Sequence, residues 1–275
     1  MASAPPVVPV PSDPLALVPP DAQTFFTLDV AAVVKARSFD SWRNAATRYA
    51  CIPKDDIDWA TSSTTRMIFV TRGTHPKTEV LGVLVGKYTE PDVLRAIRLV
   101  QRLDAKQDNT GESAQRGRFT VTTLGSLSGA QLEGRILLVG STAMVQSAID
   151  LIEAPPAAPF ATTEPFKHLS AQLACDHHSV CAVIAPSSEG TRVLKRLLAN
   201  VNMAELGKRL VGVASGMSAD LESGLAFSTV SEMASADDAA VAQKQLNDWL
   251  WQLGVVARFA GFPDVIDEIK VQVEG

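Results

Sequence analysis

The chain lacks the features that mark several large classes of protein. Its apolar runs, such as Val80–Val85, have strand length, whereas a helix that crosses a bilayer needs about 20 apolar residues. No run of Lys and Arg exceeds two residues, and the net charge is -5, so the phosphate-neutralising surface of a nucleic-acid-binding protein is missing. We therefore expect no transmembrane span in this chain and no nucleic-acid partner.

Motifs of catalysis and cofactor binding are also missing. Gly82–Tyr88 resembles a phosphate-binding loop, but three residues separate its glycines where the loop needs four, and Tyr88 stands where Ser or Thr would hold magnesium. Gly125–Gly129 has the glycine spacing of a nucleophile elbow, but its central residue is Leu127 rather than serine. We therefore predict that the protein is not an enzyme and that it has no catalytic residue, no cofactor and no metal site.

The N-terminus is rich in proline. Residues 2–20 contain seven prolines, a composition that favours extended, solvated backbone. We interpret residues 1–20 as a linker or tail. A linker directly behind the initiator Met leads us to expect a signal peptide, a lipidated cysteine or another membrane tether upstream of residue 1. A disordered cytosolic tail is the alternative interpretation.

The chain has three cysteines, and two of them are close in sequence. Cys175 and Cys181 flank a short loop, a spacing that could close a disulfide in an oxidising compartment. Free thiols are the first alternative. A metal site is the second, because Asp176, His177 and His178 add ligand types to the same loop, although the paired cysteines of zinc modules are absent. Cys51 has no partner in this interpretation.

The composition and the apolar patterns predict an α+β protein. With 46% hydrophobic and 20% charged residues, the chain has the balance of a folded protein. We interpret Asp55, Asp56 and Asp58 as a solvated turn rather than a calcium site. In the first half, runs of strand and helix periodicity predict strands at 24–30, 65–72, 79–86, 118–123, 127–132 and 135–139, helices at 39–50, from 91 and over 144–152, and a loop at 106–115.

A second set of elements follows a Pro-rich stretch. We predict strands at 180–185, 211–221 and 225–230, a helix behind Ser187 and a helix behind Ser235. The strand, the hairpin and the helix recur in the same order at an offset of about 150 residues, which is the sign of an internal repeat. We therefore predict two related halves, each a mainly antiparallel sheet covered by helices, with a first half at 21–154, a connector at 155–165 and a second half at 166–275.

The second half has fewer predicted elements than the first. A strand at 268–273 would correspond to the strand that begins at Arg118, but the sequence then ends at Gly275. We infer that the second half is truncated at its C-terminus or is asymmetric. A terminal strand without a neighbour would be prone to aggregation.

Two tryptophans of the last predicted helix point in different directions. Trp249 and Trp251 are two positions apart, so their side chains diverge by about 200° around a helix. One of them should therefore be partly exposed. We interpret the pair as a candidate interaction surface, with packing under the segment 255–262 as the alternative.

Several short segments resemble a group of bacterial proteins. Val18–Ala22 leads into the strand Phe25–Val30, Cys51–Pro53 forms a turn, and Leu138–Ser141 ends a strand before a helix. Together with the duplicated plan, these segments are similar to uncharacterised exported, lipoprotein-like proteins of high-GC, myxobacteria-like bacteria. The resemblance covers most of the chain and implies an extracytoplasmic location, in the periplasm or attached to the outer membrane. It transfers no functional residue.

These observations favour a non-enzymatic binding or scaffold module in a larger cell-envelope assembly, with a protein partner. The first alternative is a carrier of an apolar ligand such as a lipid, which requires a sizeable aliphatic cavity. The second is a metal protein or enzyme that uses the Cys175–Cys181 loop. A cytoplasmic location is the alternative to export.

Overall fold

A computed structural model provides the three-dimensional structure. It describes residues 8–36, 39–49, 52–74, 76–103, 111–164, 166–185, 188–200, 204–209, 215–220 and 226–259. The strands are β1 (Thr24–Asp29), β2 (Thr64–Arg72), β3 (Glu79–Gly86), β4 (Gly111–Arg116), β5 (Phe119–Leu124), β6 (Leu127–Leu132), β7 (Ile136–Ser141), β8 (Val180–Ile184), β9 (Ser215–Asp220) and β10 (Ala226–Ser231).

The helices lie between these strands and after them. They are α1 (Val30–Lys35), α2 (Phe39–Tyr49), α3 (Lys54–Ser63), α4 (Glu90–Leu103), α5 (Thr142–Glu153), α6 (Phe166–Gln172), α7 (Glu189–Asn200), α8 (Ala204–Arg209) and α9 (Ala236–Phe259). Among the described residues, none of these helices combines the length and the apolar character that a membrane crossing requires.

The strands form one sheet in the order β10-β9-β8-β1-β2-β3-β7-β6-β5-β4. The seven pairings from β8 to β4 are all antiparallel. The predicted α+β class is therefore confirmed. The order places β1-β2-β3 and β8-β9-β10 on opposite sides of the β8–β1 pairing, but the strands of both predicted halves belong to one sheet. The prediction of two related halves is not confirmed, and the domain bounds drawn from the sequence stay a prediction.

The chain divides into two compact units. One comprises Met1–Ile184 with Gly216–Val230, and the other comprises Ala185–Ser215 with Ser231–Gly275. In the second unit, Leu206 and Ala242 are buried and are surrounded by half-buried apolar side chains, among them Leu194 and Leu246. An ion pair between Arg209 of α8 and Asp238 of α9 joins two of its helices.

The first unit has a helical layer on each face of the sheet. On one face, which we call the α4 face, Leu84, Leu137 and Val139 pack with the apolar side of α4 and with Trp59 of α3. Gly129 allows this close contact, because a Cβ at this position would lie 2.9 Å from a methyl group of Val93. The helix therefore sits directly on the backbone of β6.

The opposite face, which we call the α5 face, buries a second apolar layer. The side chains of Ile68, Val83 and Leu138 point to this face, and each is completely buried. α5 covers this part of the sheet and contributes five buried apolar residues. Further along, Phe166 of α6 lies 4.7 Å from Phe25 and 4.5 Å from Phe160 between ring centroids.

Part of the Pro-rich segment is packed against this first unit. Asp13 caps a 3-10 helix at Pro14–Leu17 by accepting a hydrogen bond from the Leu15 N–H. Leu17 and Val18 are 0% and 1% exposed, so residues that we interpreted as linker contribute to the core. The physical reason is that apolar side chains between the prolines bury more surface than an extended tail would allow.

Two predictions made for polar segments, the turn at 55–58 and the loop at 106–115, are wrong. The aspartates at 55, 56 and 58 lie in α3 rather than in a turn. Asp55 and Asp56 lie in the first turn of the helix, where the helix dipole favours negative charge. Asp56 also pairs with Arg95 at 3.0 Å. The region predicted as a loop at 106–115 contains most of β4, which extends over Gly111–Arg116.

Candidate interaction edge

β4 is the last strand of the sheet, and β5 is its only neighbour among the described strands. Its residues are exposed from Gly111 to Gln115, and Arg116 is half-buried. The strand pairs with β5 over its whole length, from Gly111 opposite Leu124 to Arg116 opposite Phe119. We call the side of Gly111–Arg116 that faces away from β5 the β4 edge.

The hairpin between β4 and β5 determines which backbone groups point outward. Gly117 and Arg118 form its two-residue turn, and Gly117 has a φ of 56°, which suits the first central position of a type II′ turn. Across such a turn, Arg116 and Phe119 exchange both backbone hydrogen bonds, and the bonding then alternates along the strand. Ala114 therefore bonds to β5, whereas Ser113 and Gln115 present their N–H and C=O groups at the β4 edge.

The side chains of β4 alternate between the two faces of the sheet. On the α4 face, the Ser113 hydroxyl lies 3.1 Å from the Thr122 hydroxyl, and the Gln115 amide donates to the Thr120 hydroxyl at 2.9 Å. On the α5 face, Arg116 is held by the carboxylate of Asp150, whereas Glu112 makes no ion pair with any described residue.

Asp150 anchors the end of the strand to α5. The Arg116 Nε donates to Oδ1 at 2.9 Å and Nη2 donates to Oδ2 at 2.5 Å. These hydrogen bonds to Asp150, with its charge and that of Glu153, raise the pKa of Arg116 above its ordinary value. The bidentate geometry fixes the guanidinium on the α5 face of the strand. β4 is therefore an ordered strand whose outer side pairs with no other described strand.

The edge residues carry chemistry suited to backbone recognition. Open N–H and C=O groups on an ordered strand are a template for a further strand, as in peptide binding by strand addition. The side chains beside them are polar, and only Glu112 and Arg116 are charged. The arrangement can hold an extended backbone and select it through its charges.

The two cysteines of the predicted disulfide lie together in the structure. Cys175 belongs to a 3-10 turn before β8, Cys181 lies in β8, and their sulfur atoms are bonded with the Cα atoms 5.3 Å apart. Both side chains are buried. Next to them, Asp176 pairs with Arg66 at 3.9 Å. Among the described residues, no group of three His, Cys, Asp or Glu side chains is arranged to hold a metal ion.

The remaining predicted positions are only partly described. Trp249 and Trp251 lie in α9, but their side chains are outside the described part of the structure. The interaction surface that we assigned to them stays a prediction. Cys51 and the predicted strand at 268–273 also lie outside the described residues.

Two pockets lie in the first unit. One of about 430 Å³ is lined by apolar and polar residues that include Val85, Lys87 and Arg135. The other, of about 350 Å³, is lined mainly by polar residues that include Glu90 and Arg118. Both mix charged with apolar groups, so neither has the aliphatic lining that would favour a lipid carrier.

Comparisons with known proteins show that the chain is similar in fold to a solved structure. No protein-family model matches the chain, and no curated protein matches it at a significant level. Among solved structures, crystal form I of TP0453 is similar with a TM-score of 0.52 and 14% sequence identity, and the match covers 87% of this chain and 86% of that chain. Crystal form III of TP0453 has a TM-score of 0.48 and 15% identity over 76% of this chain and 75% of that chain. At these identities, only the α+β fold is shared.

Sequence reasoning did not find β4. The segment Gly111–Arg116 contains a single apolar residue, Ala114, so it has no alternation of apolar and polar side chains. One usable signal was present, because Gly117 and Arg118 immediately precede the apolar strand β5, which is the position of a two-residue hairpin turn. That signal predicts a strand on the N-terminal side of the turn.

Proposed function

We propose that the chain is a non-enzymatic binding or scaffold module of the bacterial cell envelope, and that it binds a protein partner as an added strand at the β4 edge. The observation that carries the proposal is the outward orientation of the backbone groups of Ser113 and Gln115 on an ordered strand that ends the sheet. The added strand would continue the antiparallel pattern of the sheet, which is slightly more stable per residue than parallel pairing.

The extracytoplasmic location rests on separate support. The Cys175–Cys181 bond is of a kind that persists in oxidising compartments. The resemblance to exported, lipoprotein-like proteins points to the same location. We propose the periplasm or the outer-membrane surface as the site of action.

The binding proposal is tested with two substitutions at one position. Ser113→Pro removes the outward N–H, and proline is tolerated on an edge strand whose N–H faces solvent. Ser113→Ala keeps the N–H and removes only the hydroxyl. The full chain and both variants are used to capture partners from envelope extracts of the native host. We expect one set of partners with the wild type and Ser113→Ala, and its loss with Ser113→Pro. Equal capture by all three proteins would exclude the β4 edge.

The location is tested by intact mass. The protein is expressed with its native upstream sequence in an export-competent host, and its mass is measured with and without alkylation. A processed N-terminus, with Cys175 and Cys181 resistant to alkylation until they are reduced, is the expected result. An unprocessed chain with reactive thiols at both positions would support the cytoplasmic alternative.

A further inference from the structure

The two charges of β4 are arranged symmetrically about Ala114. Glu112 lies two residues before Ala114, and Arg116 lies two residues after it. All three side chains point to the α5 face, because residues two apart in a strand share a face. We propose that β4 pairs antiparallel with β4 of a second copy of this chain, in the register centred on Ala114. This inference rests on the proposed use of the β4 edge and names its partner.

In this register, opposite charges meet twice. Glu112 lies directly opposite Arg116 of the second copy, and Arg116 lies opposite the second copy's Glu112. An opposite-charge pair at directly opposed positions stabilises a sheet, whereas like charges at those positions destabilise it. The charge pattern is therefore complementary to itself.

The backbone groups fit the same register. Ser113 and Gln115 carry the outward N–H and C=O groups, and the pairing sets Ser113 opposite Gln115 of the second copy on both sides of the centre. Each such pair exchanges two hydrogen bonds, so the outward-pointing groups of Ser113 and Gln115 find partners in both copies. At the centre, Ala114 faces itself in a non-hydrogen-bonded pair. The Cα atoms of such a pair are only about 4.5 Å apart, a spacing that a small side chain accommodates.

Other registers satisfy fewer of these conditions. A shift by one residue would oppose outward-pointing groups to residues that already bond to β5. A register centred on Glu112 would bring two like charges together, and a register centred on Ser113 would place Glu112 opposite Ala114. Only the centre at Ala114 satisfies both the charges and the hydrogen bonds of Ser113 and Gln115.

Hydrogen bonds to Asp150 already position the Arg116 guanidinium for this contact. The Asp150 carboxylate accepts hydrogen bonds from Nε and Nη2 of the Arg116 guanidinium. Among the described residues, Nη1 makes no hydrogen bond. The remaining N–H groups can therefore donate to the second copy's Glu112, and the bidentate contact reduces the side-chain freedom that a new ion pair would restrict. The nearby Glu153 carboxylate also interacts with Arg116, so the second copy's Glu112 joins a site with two acids. We accordingly assign most of the binding to the backbone hydrogen bonds and the choice of register to the charges.

Two six-residue strands form a small interface. Stable protein interfaces bury about 1,200–2,000 Å² in total, which is more than one added strand provides. We expect a weak dimer that forms at high protein concentration and that extends the sheet across two copies.

The test is sedimentation velocity of the full chain over a concentration series that reaches the high micromolar range. We expect a dimer for the wild type and for Ser113→Ala, and a monomer for Ser113→Pro. Glu112→Lys should weaken the dimer roughly 2- to 30-fold at low salt through the loss of two cross-strand pairs. The matched control Glu164→Lys changes the net charge equally at an exposed position away from β4 and should leave the dimer unchanged.

A cysteine placed at the centre tests the register. In the Ala114→Cys variant, the two introduced thiols would face each other across the dimer and should cross-link under mild oxidation. Cross-linking of Ser113→Cys should be much slower, because its opposite residue is Gln115, and the wild type gives the background from the native cysteines. Efficient cross-linking of Ser113→Cys instead would overturn the register.

The outcomes separate this inference from the proposed function. A wild type that is monomeric at every concentration overturns self-pairing, and so does a dimer that Ser113→Pro leaves intact. If the monomeric wild type still captures an envelope partner that Ser113→Pro does not, the β4 edge remains a binding site and the second copy is not its occupant.

Discussion

The orientation of the β4 backbone can be tested without any partner, by two neighbouring proline substitutions. Ala114 is paired with Val121 of β5, so Ala114→Pro removes a hydrogen bond of the ladder and leaves a buried carbonyl of Val121 without its donor. A lost hydrogen bond costs about 0.5–1.5 kcal/mol, and an unsatisfied buried group costs about 1–3 kcal/mol. We therefore expect Ala114→Pro to lower the free energy of unfolding by about 2–4 kcal/mol.

Ser113→Pro should behave differently although it lies one residue away. Its N–H points away from β5, so no hydrogen bond of the β4–β5 ladder is lost. The lost side-chain contact with Thr122 is exposed, and proline lowers the entropy of the unfolded chain, an effect of about 0.4–1 kcal/mol in favour of the fold. We expect a net change within about 1 kcal/mol of zero.

Urea denaturation followed by circular dichroism measures both changes, and amide hydrogen exchange in β5 gives a local readout of the same hairpin. Ala114→Pro should accelerate exchange in Phe119–Leu124, and Ser113→Pro should not. If the two variants lose equal stability, or if Ser113→Pro loses more, the alternation that we derive from the Gly117–Arg118 turn is wrong, and the outward register at the β4 edge is wrong with it.

Three further predictions concern the core and the cysteines. Burial raises the pKa of Tyr88 to about 12, so the contribution of the neutral phenol to stability should be fully present below pH 10. The free energy of unfolding should then fall by about 2–3 kcal/mol between pH 10 and pH 12. Urea titrations of Tyr88→Phe should show a smaller fall over the same pH range. Phe166→Ala should cost about 3–5 kcal/mol in the same assay, because the ring is buried between two other phenylalanines, and a loss under about 1 kcal/mol would contradict that packing. Replacing Cys175 and Cys181 by serine should lower the melting temperature, and an unchanged value would show that the bond does not stabilise the fold.

Apolar periodicity was sufficient to predict elements that are buried on one or both faces, such as β3, α4 and α5. β3 has the predicted bounds Glu79–Gly86, and its central residues are buried on both faces of the sheet, so a continuous apolar run predicts it. α4 and α5 were predicted from apolar residues at three- and four-residue spacing, and those residues form the contacts with the sheet. In these elements the local pattern and the tertiary contacts agree.

The same reasoning failed where contacts rather than pattern decide the structure. α3 has three aspartates in its first half and was interpreted as a turn; its buried residue is Ile57 alone, and half-buried Trp59 adds the contact with the α4 face. The packing of Leu17 and Val18, within the segment that we interpreted as linker, was not predicted for a related reason, because isolated apolar residues gave no periodic signal. In both segments, long-range packing stabilises a structure that composition alone disfavours.

The β4 edge shows why an exposed polar strand escapes sequence analysis. A strand that ends a sheet and remains available to a partner must avoid exposed apolar side chains, since these would promote aggregation. Gly111–Arg116 meets that requirement with small, polar and charged residues, and it thereby loses the alternation by which strands are predicted. Its order comes instead from the Gly117 turn, from the ladder with β5 and from the ion pair between Arg116 and Asp150. The small, polar and charged residues of this edge are therefore the ones that make its sequence resemble a loop. Exposed edge strands of this kind should be sought in polar segments that precede a two-residue turn and an apolar strand.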